Sequence, residues 1–97
     1  MSLEEILGDE FDGLRDEYVA QVGQFIGEMR AALEGDDFPE IRRLGHSLKG
    51  SGAMFGFHDV GDIGARIEQA AMQRDRPAIP AMIEELDKAY RKLPKAA

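Results

Sequence analysis

Ninety-seven residues are enough for one hydrophobic core and too few for two, so residues 1–97 read as a single domain. The 43% hydrophobic content is sufficient for folding, and the absence of cysteine excludes disulfides and thiolate metal sites, which makes the cytoplasm the default compartment. A net charge of −7 disfavours nucleic acid and anionic membrane as partners, since both require a basic face.

The acidic start, Ser2-Leu3-Glu4-Glu5, lacks a signal-peptide pattern, and no apolar run nears the roughly 18 residues of a membrane span. Ser2 followed by Glu5 fits a capping box for a short first helix that breaks near Gly8. A long helix is expected from about Asp12 to Leu33, with Leu14, Tyr18, Val22, Phe25, Met29 and Leu33 on one face, and Gly35 stops it. Asp37 is a good N-cap for the next helix, with Glu40 at the capping-box position and Pro39 in the first turn, where its missing N–H is harmless. That helix runs to about Phe55 with a seam of Ile41, Leu44, Leu48, Gly52 and Phe55, and Gly56 ends it. A further helix spans about Asp59 to Met72, with Val60, Ile63, Ile67 and Ala71 inside, and Asp75-Arg76-Pro77 breaks it. The last helix presents Ile79, Met82, Ile83, Leu86, Ala89 or Tyr90, and Leu93; Pro80 lies in its first turn and Lys88, Arg91 and Lys92 suit its C-terminal dipole. There is no strand pattern. The predicted fold is all-α: an antiparallel up-down four-helix bundle with a short additional N-terminal helix across one end.

The stretch His46-Ser47-Leu48-Lys49-Gly50-Ser51-Gly52 carries the chemical interest. Leu44, Leu48 and Gly52 define the buried seam, and His46 stands roughly 200° away from Leu48 around the helix, so its imidazole faces solvent. Lys49, Gly50 and Ala53 follow His46 at positions that share its face. Gly45, Gly50 and Gly52 each cost about 1 kcal/mol relative to alanine inside a helix, a loss that needs a compensating reason. Gly52 on the seam allows a neighbouring helix to approach closely, and Gly50 clears space beside the imidazole.

His46-Ser47-Leu48-Lys49-Gly50-Ser51, with Gly56 six residues after Gly50, resembles the signature of histidine-containing phosphotransfer (HPt) domains. The resemblance is specific from about Ile41 to Ala71. It implies a four-helix bundle that carries a phosphoryl group on an exposed mid-helix histidine, relaying it to and from receiver-domain aspartates or receiving it from the ATP-binding domain of a sensor histidine kinase. By this resemblance His46 is the phosphoryl acceptor, Lys49 assists the phosphoryl charge and Gly50 gives clearance. It also implies a role for the residue 22 positions after the histidine, here Glu68, as a hydrogen-bond partner of the second ring nitrogen. Ile63 and Ile67 face the core, so Glu68 lies at the edge of the seam, where a carboxylate accepting Nδ1–H would fix the tautomer and free Nε2. Pairing of Glu68 with Arg66 or a surface lysine is the alternative.

The chain contains no Walker-type phosphate loop and no acidic cluster arranged for Mg²⁺, so neither autonomous kinase nor phosphatase activity is expected and no cofactor is assigned. Mg²⁺ and the second reactive carboxylate would come from the receiver. His58, near a helix start, reads as a cap or surface group and does not form a metal site with His46. Phe55 reads as core, Tyr18 and Tyr90 as core-edge residues, and Met54 and Phe57 as either core or docking surface. Arg42, Arg43 and Arg66 read equally as a basic rim or as solvated charges. A monomer is expected, because four helices can enclose their own core. Two rival classes stand beside this reading: a bundle used only as an adaptor, with a vestigial histidine, and an enzyme such as a kinase or phosphatase, which the lack of a nucleotide-binding loop disfavours.

Overall fold

The computed structural model describes residues 2–94. Five α-helices follow one another: α1 (Leu3–Leu7), α2 (Glu10–Glu34), α3 (Phe38–Met54), α4 (His58–Met72) and α5 (Ile79–Arg91), with one 3₁₀ turn (Arg76–Ala78) before α5. No strand occurs among the described residues. Short connections between α2, α3 and α4 force antiparallel neighbours. The ring of contacts closes because α5 lies against both α4 and α2, and α3 packs most extensively on α4. α2, at 25 residues and about 1.5 Å per residue, spans nearly the whole 41 Å long axis. α1 sits at the end where α3 hands over to α4, lining a cleft with Phe11, Met54, Phe55 and His58.

Local chemistry accounts for the boundaries. The Ser2 hydroxyl accepts from the Glu5 amide at 3.2 Å, and the Asp37 carboxylate accepts from the Glu40 amide at the same distance. Only half of the expected capping box forms at α3, because the Glu40 carboxylate turns to Arg43, whose Nε donates to it at 2.7 Å. α2, α3 and α4 all finish in one way: a residue in the left-handed region, Asp36, Gly56 or Arg74, follows the helix. The next amide then reaches back to the last turn, with Asp37 donating to the Ala32 carbonyl, Phe57 to Gly52 and Asp75 to Ala70, all within 2.9 Å.

The core is drawn from four helices: Val22, Ile26 and Met29 of α2, Ile41, Leu44 and Leu48 of α3, Val60, Ile63 and Ile67 of α4, and Ile79, Ile83 and Leu86 of α5. The seams expected on α3, α4 and α5 are those observed, with Phe55 half-buried just past α3. On α2 the expectation needs correcting. The helix starts at Glu10 rather than Asp12, and its buried stripe is Phe11, Tyr18, Val19, Val22, Ile26 and Met29. Leu14 is 41% exposed, and Phe25 and Leu33 are half-buried. The stripe is rotated by roughly 40° toward Val19 and Ile26, on a helix that packs against both α3 and α5.

Tyr18 is core rather than core-edge. Its ring stacks on Phe55 with centroids 4.5 Å apart, and Phe11 also stacks on Phe55 at 5.8 Å. Ser51 Oγ lies 2.9 Å from the Tyr18 phenol and 2.7 Å from the Ser47 carbonyl. A serine hydroxyl has one proton, so it serves the carbonyl and the phenol donates to Ser51. Burial pushes the Tyr18 phenol up. Tyr90 stays half-buried, its ring over Gly23 of α2. Phe57 packs against the core, whereas Met54 is exposed. A buried carboxylate, Asp87, was not anticipated: Arg91 donates to it at 2.7 Å and Arg30 of α2 approaches to 3.6 Å while bonding Glu84 at 2.8 Å, so charge as well as burial joins α2 to α5.

Candidate functional site

α3 and α4 approach more closely than side chains on both would allow. A β-carbon on Gly52 would stand 2.5 Å from the Gly61 backbone nitrogen, one on Gly45 2.8 Å from the Glu68 nitrogen, and one on Gly64 2.8 Å from Leu48 Cβ. Gly45 and Gly52 are seven residues apart on α3, and Gly61 and Gly64 three apart on α4, so each pair lies on one helical face. The expectation of close approach at Gly52 holds. Gly61 and Gly64 were not singled out, although their three-residue spacing was visible in the sequence.

That contact brings Glu68 of α4 beside the outward face of α3. His46 Nδ1 lies 2.6 Å from Glu68 Oε2, and Lys49 Nζ donates to Oε1 at 2.8 Å. One carboxylate thus holds both groups: of the two alternative partners, a surface lysine, Lys49, does pair with Glu68, but alongside His46 rather than in its place, while Arg66 pairs with Glu85 of α5. The imidazole is 69% exposed while the Glu68 side chain is only 13% exposed. The Lys49 ammonium is the main cause holding the Glu68 carboxyl below the usual carboxylate range; partial desolvation opposes it and the His46 contact adds to the lowering. An ionised carboxylate only accepts hydrogen bonds, so Nδ1 carries the ring proton of the neutral imidazole and the solvent-facing Nε2 keeps its lone pair. This arrangement presents an oriented nitrogen nucleophile with an ammonium one turn away.

Gly50, on the same face, is exposed, and a β-carbon there would meet nothing within 4 Å. His58 is the exposed first residue of α4. Among the described residues no three metal-ligating side chains converge, and no described helix is long and apolar enough to cross a membrane. Of the three arginines read as a possible basic rim, Arg43 is bonded to Glu40, Arg66 to Glu85, and Arg42 to neither.

The Glu68 contact has a measurable pH signature. A carboxyl whose folded pKa lies below its unfolded value of about 4.5 stabilises the fold above that pH and loses the contribution as pH falls through the folded value. Glu68→Gln is therefore expected to lower stability to urea at pH 7, and the difference from wild type should shrink progressively as the pH is taken below about 4.5. A difference that stays constant across the whole acid titration would show that the charge on Glu68 contributes nothing.

The sequence matches the family model of the Hpt domain over residues 13–96, which covers α3, α4, α5 and nearly all of α2. The chain belongs to the Hpt domain family, whose members carry phosphoryl groups on histidine in two-component signalling and interact with histidine kinases and receiver domains. The bundle has the all-α architecture of that family. No curated protein and no solved structure gives a significant match.

Proposed function

We propose that the chain is a phosphocarrier in which His46 Nε2 accepts a phosphoryl group from a receiver-domain aspartate, or from a kinase ATP-binding domain, and passes it on. The observation that carries this reading is the exposed ring with Nδ1 held 2.6 Å from a half-buried carboxylate. In the receiver exchange the Nε2 lone pair forms the N–P bond as the aspartyl O–P bond breaks, and the aspartate leaves as a carboxylate. Attack puts positive charge on the ring, which Glu68 offsets through Nδ1–H. Lys49, 2.8 Å from Glu68, is near enough to turn toward the phosphoryl oxygens. Gly50 leaves room for the partner's reactive loop. Alignment of the two reactants within the complex supplies most of the rate, with Mg²⁺ contributed by the receiver. The chain acts as a cytoplasmic monomer without kinase or phosphatase activity of its own, in residues 1–97 as one domain.

The test is incubation with phosphorylated receivers and active histidine kinases of the source organism. Phosphate that is lost in acid, retained in alkali and mapped to His46 by mass spectrometry is the expected result. Absence of any such label from the whole panel leaves the adaptor reading in its place. Gly50→Gln should slow transfer by an order of magnitude or more with no loss in the unfolding midpoint, since the added side chain points into open space beside the ring and a helix former replaces glycine. Equal loss of transfer and stability would make Gly50 a packing residue only.

A further inference from the structure

Beside His46 a shallow groove of about 570 Å³ runs between the N-terminal half of α3 and the C-terminal end of α4. Phe38, Arg42, Met72 and Arg74 line it together with His46 and Glu68. The chain carries a net charge of −7, yet this groove is cationic. The Glu68 charge is matched by Lys49, and that of Arg43, at the rim, by Glu40. Arg42 and Arg74 have no carboxylate partner among the described residues. Arg42 lies one helical turn before His46 and therefore on its face.

Arg74 occupies its position at a cost. Its φ of 55° is a conformation that glycine adopts freely and other residues do not. Gly56 fills the equivalent place after α3. At the end of α4 an arginine stands there instead, its guanidinium 4.9 Å from the Phe38 ring centroid, which fixes the charge over the groove. Met72, 49% exposed, adds an apolar side chain to the lining.

We propose that this groove is where a receiver domain docks, by a surface on which carboxylates flank an apolar side chain, and that Arg42 and Arg74 select and steer that partner. The proposal rests on the phosphocarrier reading of His46 and adds a direction: the partner extends from the imidazole toward the Phe38–Arg74 end of the bundle, not toward Met54. The argument is charge complementarity. A partner that transfers to Nε2 brings an aspartate to a ring beside two uncompensated arginines, and an acidic face there gains attraction that the remaining, largely acidic surface of this chain denies it elsewhere. The two guanidinia hold exposed charge outside the reacting atoms, so their effect falls on association and is weakened by salt.

The experiment compares wild type, the double variant Arg42→Glu/Arg74→Glu, and Lys92→Glu as a distant charge reversal, with circular dichroism to check folding. Each receiver domain of the source organism is titrated against labelled chain to measure Kd and perturbed amide resonances, and phosphotransfer is followed at low and high salt. The expected result is a loss of about tenfold or more in Kd and kcat/KM for the double variant at low salt, with kcat at saturation within about twofold. Lys92→Glu should bind like wild type, the difference should narrow at high salt, and resonances of residues 38–46 and 68–74 should shift on binding. Unchanged affinity in the double variant, an equal loss in Lys92→Glu, shifts confined to the Met54 end, or no receiver binding at all would overturn the proposal. So would an effect seen only with a kinase ATP-binding domain. Failure of wild type to accept phosphate while receivers still bind through the groove would count against the carrier reading alone.

Discussion

His46→Gln abolishes phosphoryl uptake while leaving the fold intact: this is the largest effect expected of any single substitution in the chain. Glutamine is close to histidine in reach and polarity, and the side chain is 69% exposed, so little packing is lost. Its amide nitrogen can still donate to Glu68, but its electron pair is delocalised into the carbonyl and is no nucleophile. The other histidine, His58, stands at the start of α4 with no carboxylate bonded to its ring among the described residues and does not take over. The measurement is transfer from a phosphorylated receiver, with label reduced to background and far-ultraviolet circular dichroism unchanged. Wild-type yield of acid-labile phosphate in the variant would remove His46 from the mechanism.

The second large effect concerns stability and separates two glycines of one helix. Gly52→Ala puts a β-carbon 2.5 Å from the Gly61 nitrogen and 2.8 Å from its α-carbon. Both are backbone atoms of α4, so no rotamer change relieves the contact and the helices must part. Overpacking of this kind costs about 1–3 kcal/mol, more than the roughly 1 kcal/mol that alanine gains over glycine in helix propensity, and Gly52→Leu should be worse still. Because Glu68 rides on α4, the same displacement lengthens its 2.6 Å contact with His46, so transfer falls along with stability. Gly50→Ala, two residues earlier, meets nothing within 4 Å and should raise stability by about 0.5–1 kcal/mol. Urea unfolding of the two alanine variants decides it: shifts of the same sign would show that the α3–α4 contact is not held by the missing side chains.

The parts of the fold legible in the sequence were those with local causes. Asp37 before Phe38-Pro39-Glu40 marks the start of α3, and the apolar spacing of α3, α4 and α5 gives their buried faces because each presents a single stripe to one core. α2 was read less well. A helix that contacts two neighbours buries a wider arc than a single line of residues suggests, and Leu14 fitted the line but lies at its exposed edge. The buried Asp87 and the 3₁₀ turn at Arg76–Ala78 depend on tertiary partners: Arg30 is 57 residues away from Asp87 in the chain, and Arg76 is anchored by Asp36 across the bundle at 2.8 Å. At the site, the exposure of His46 follows from its angle to Leu48 alone. Its meeting with Glu68 follows from the family resemblance and from the place of Glu68 beside Ile67, while the sharing of that carboxylate with Lys49 depends on how closely α3 and α4 approach.

The glycine seam also bears on how the molecule assembles. It joins two helices consecutive in the chain, with only Phe55, Gly56 and Phe57 between them, so the imidazole and its carboxylate are brought together by closing a short loop. Short-range closure is fast and loses little chain entropy, which favours a helical hairpin of α3 and α4 as the early-forming part of the chain, with α2 and α5 added afterwards. In native-state hydrogen exchange, the amides of this hairpin should then be the slowest to trade their protons, and those of α1, which has no buried residue, the quickest.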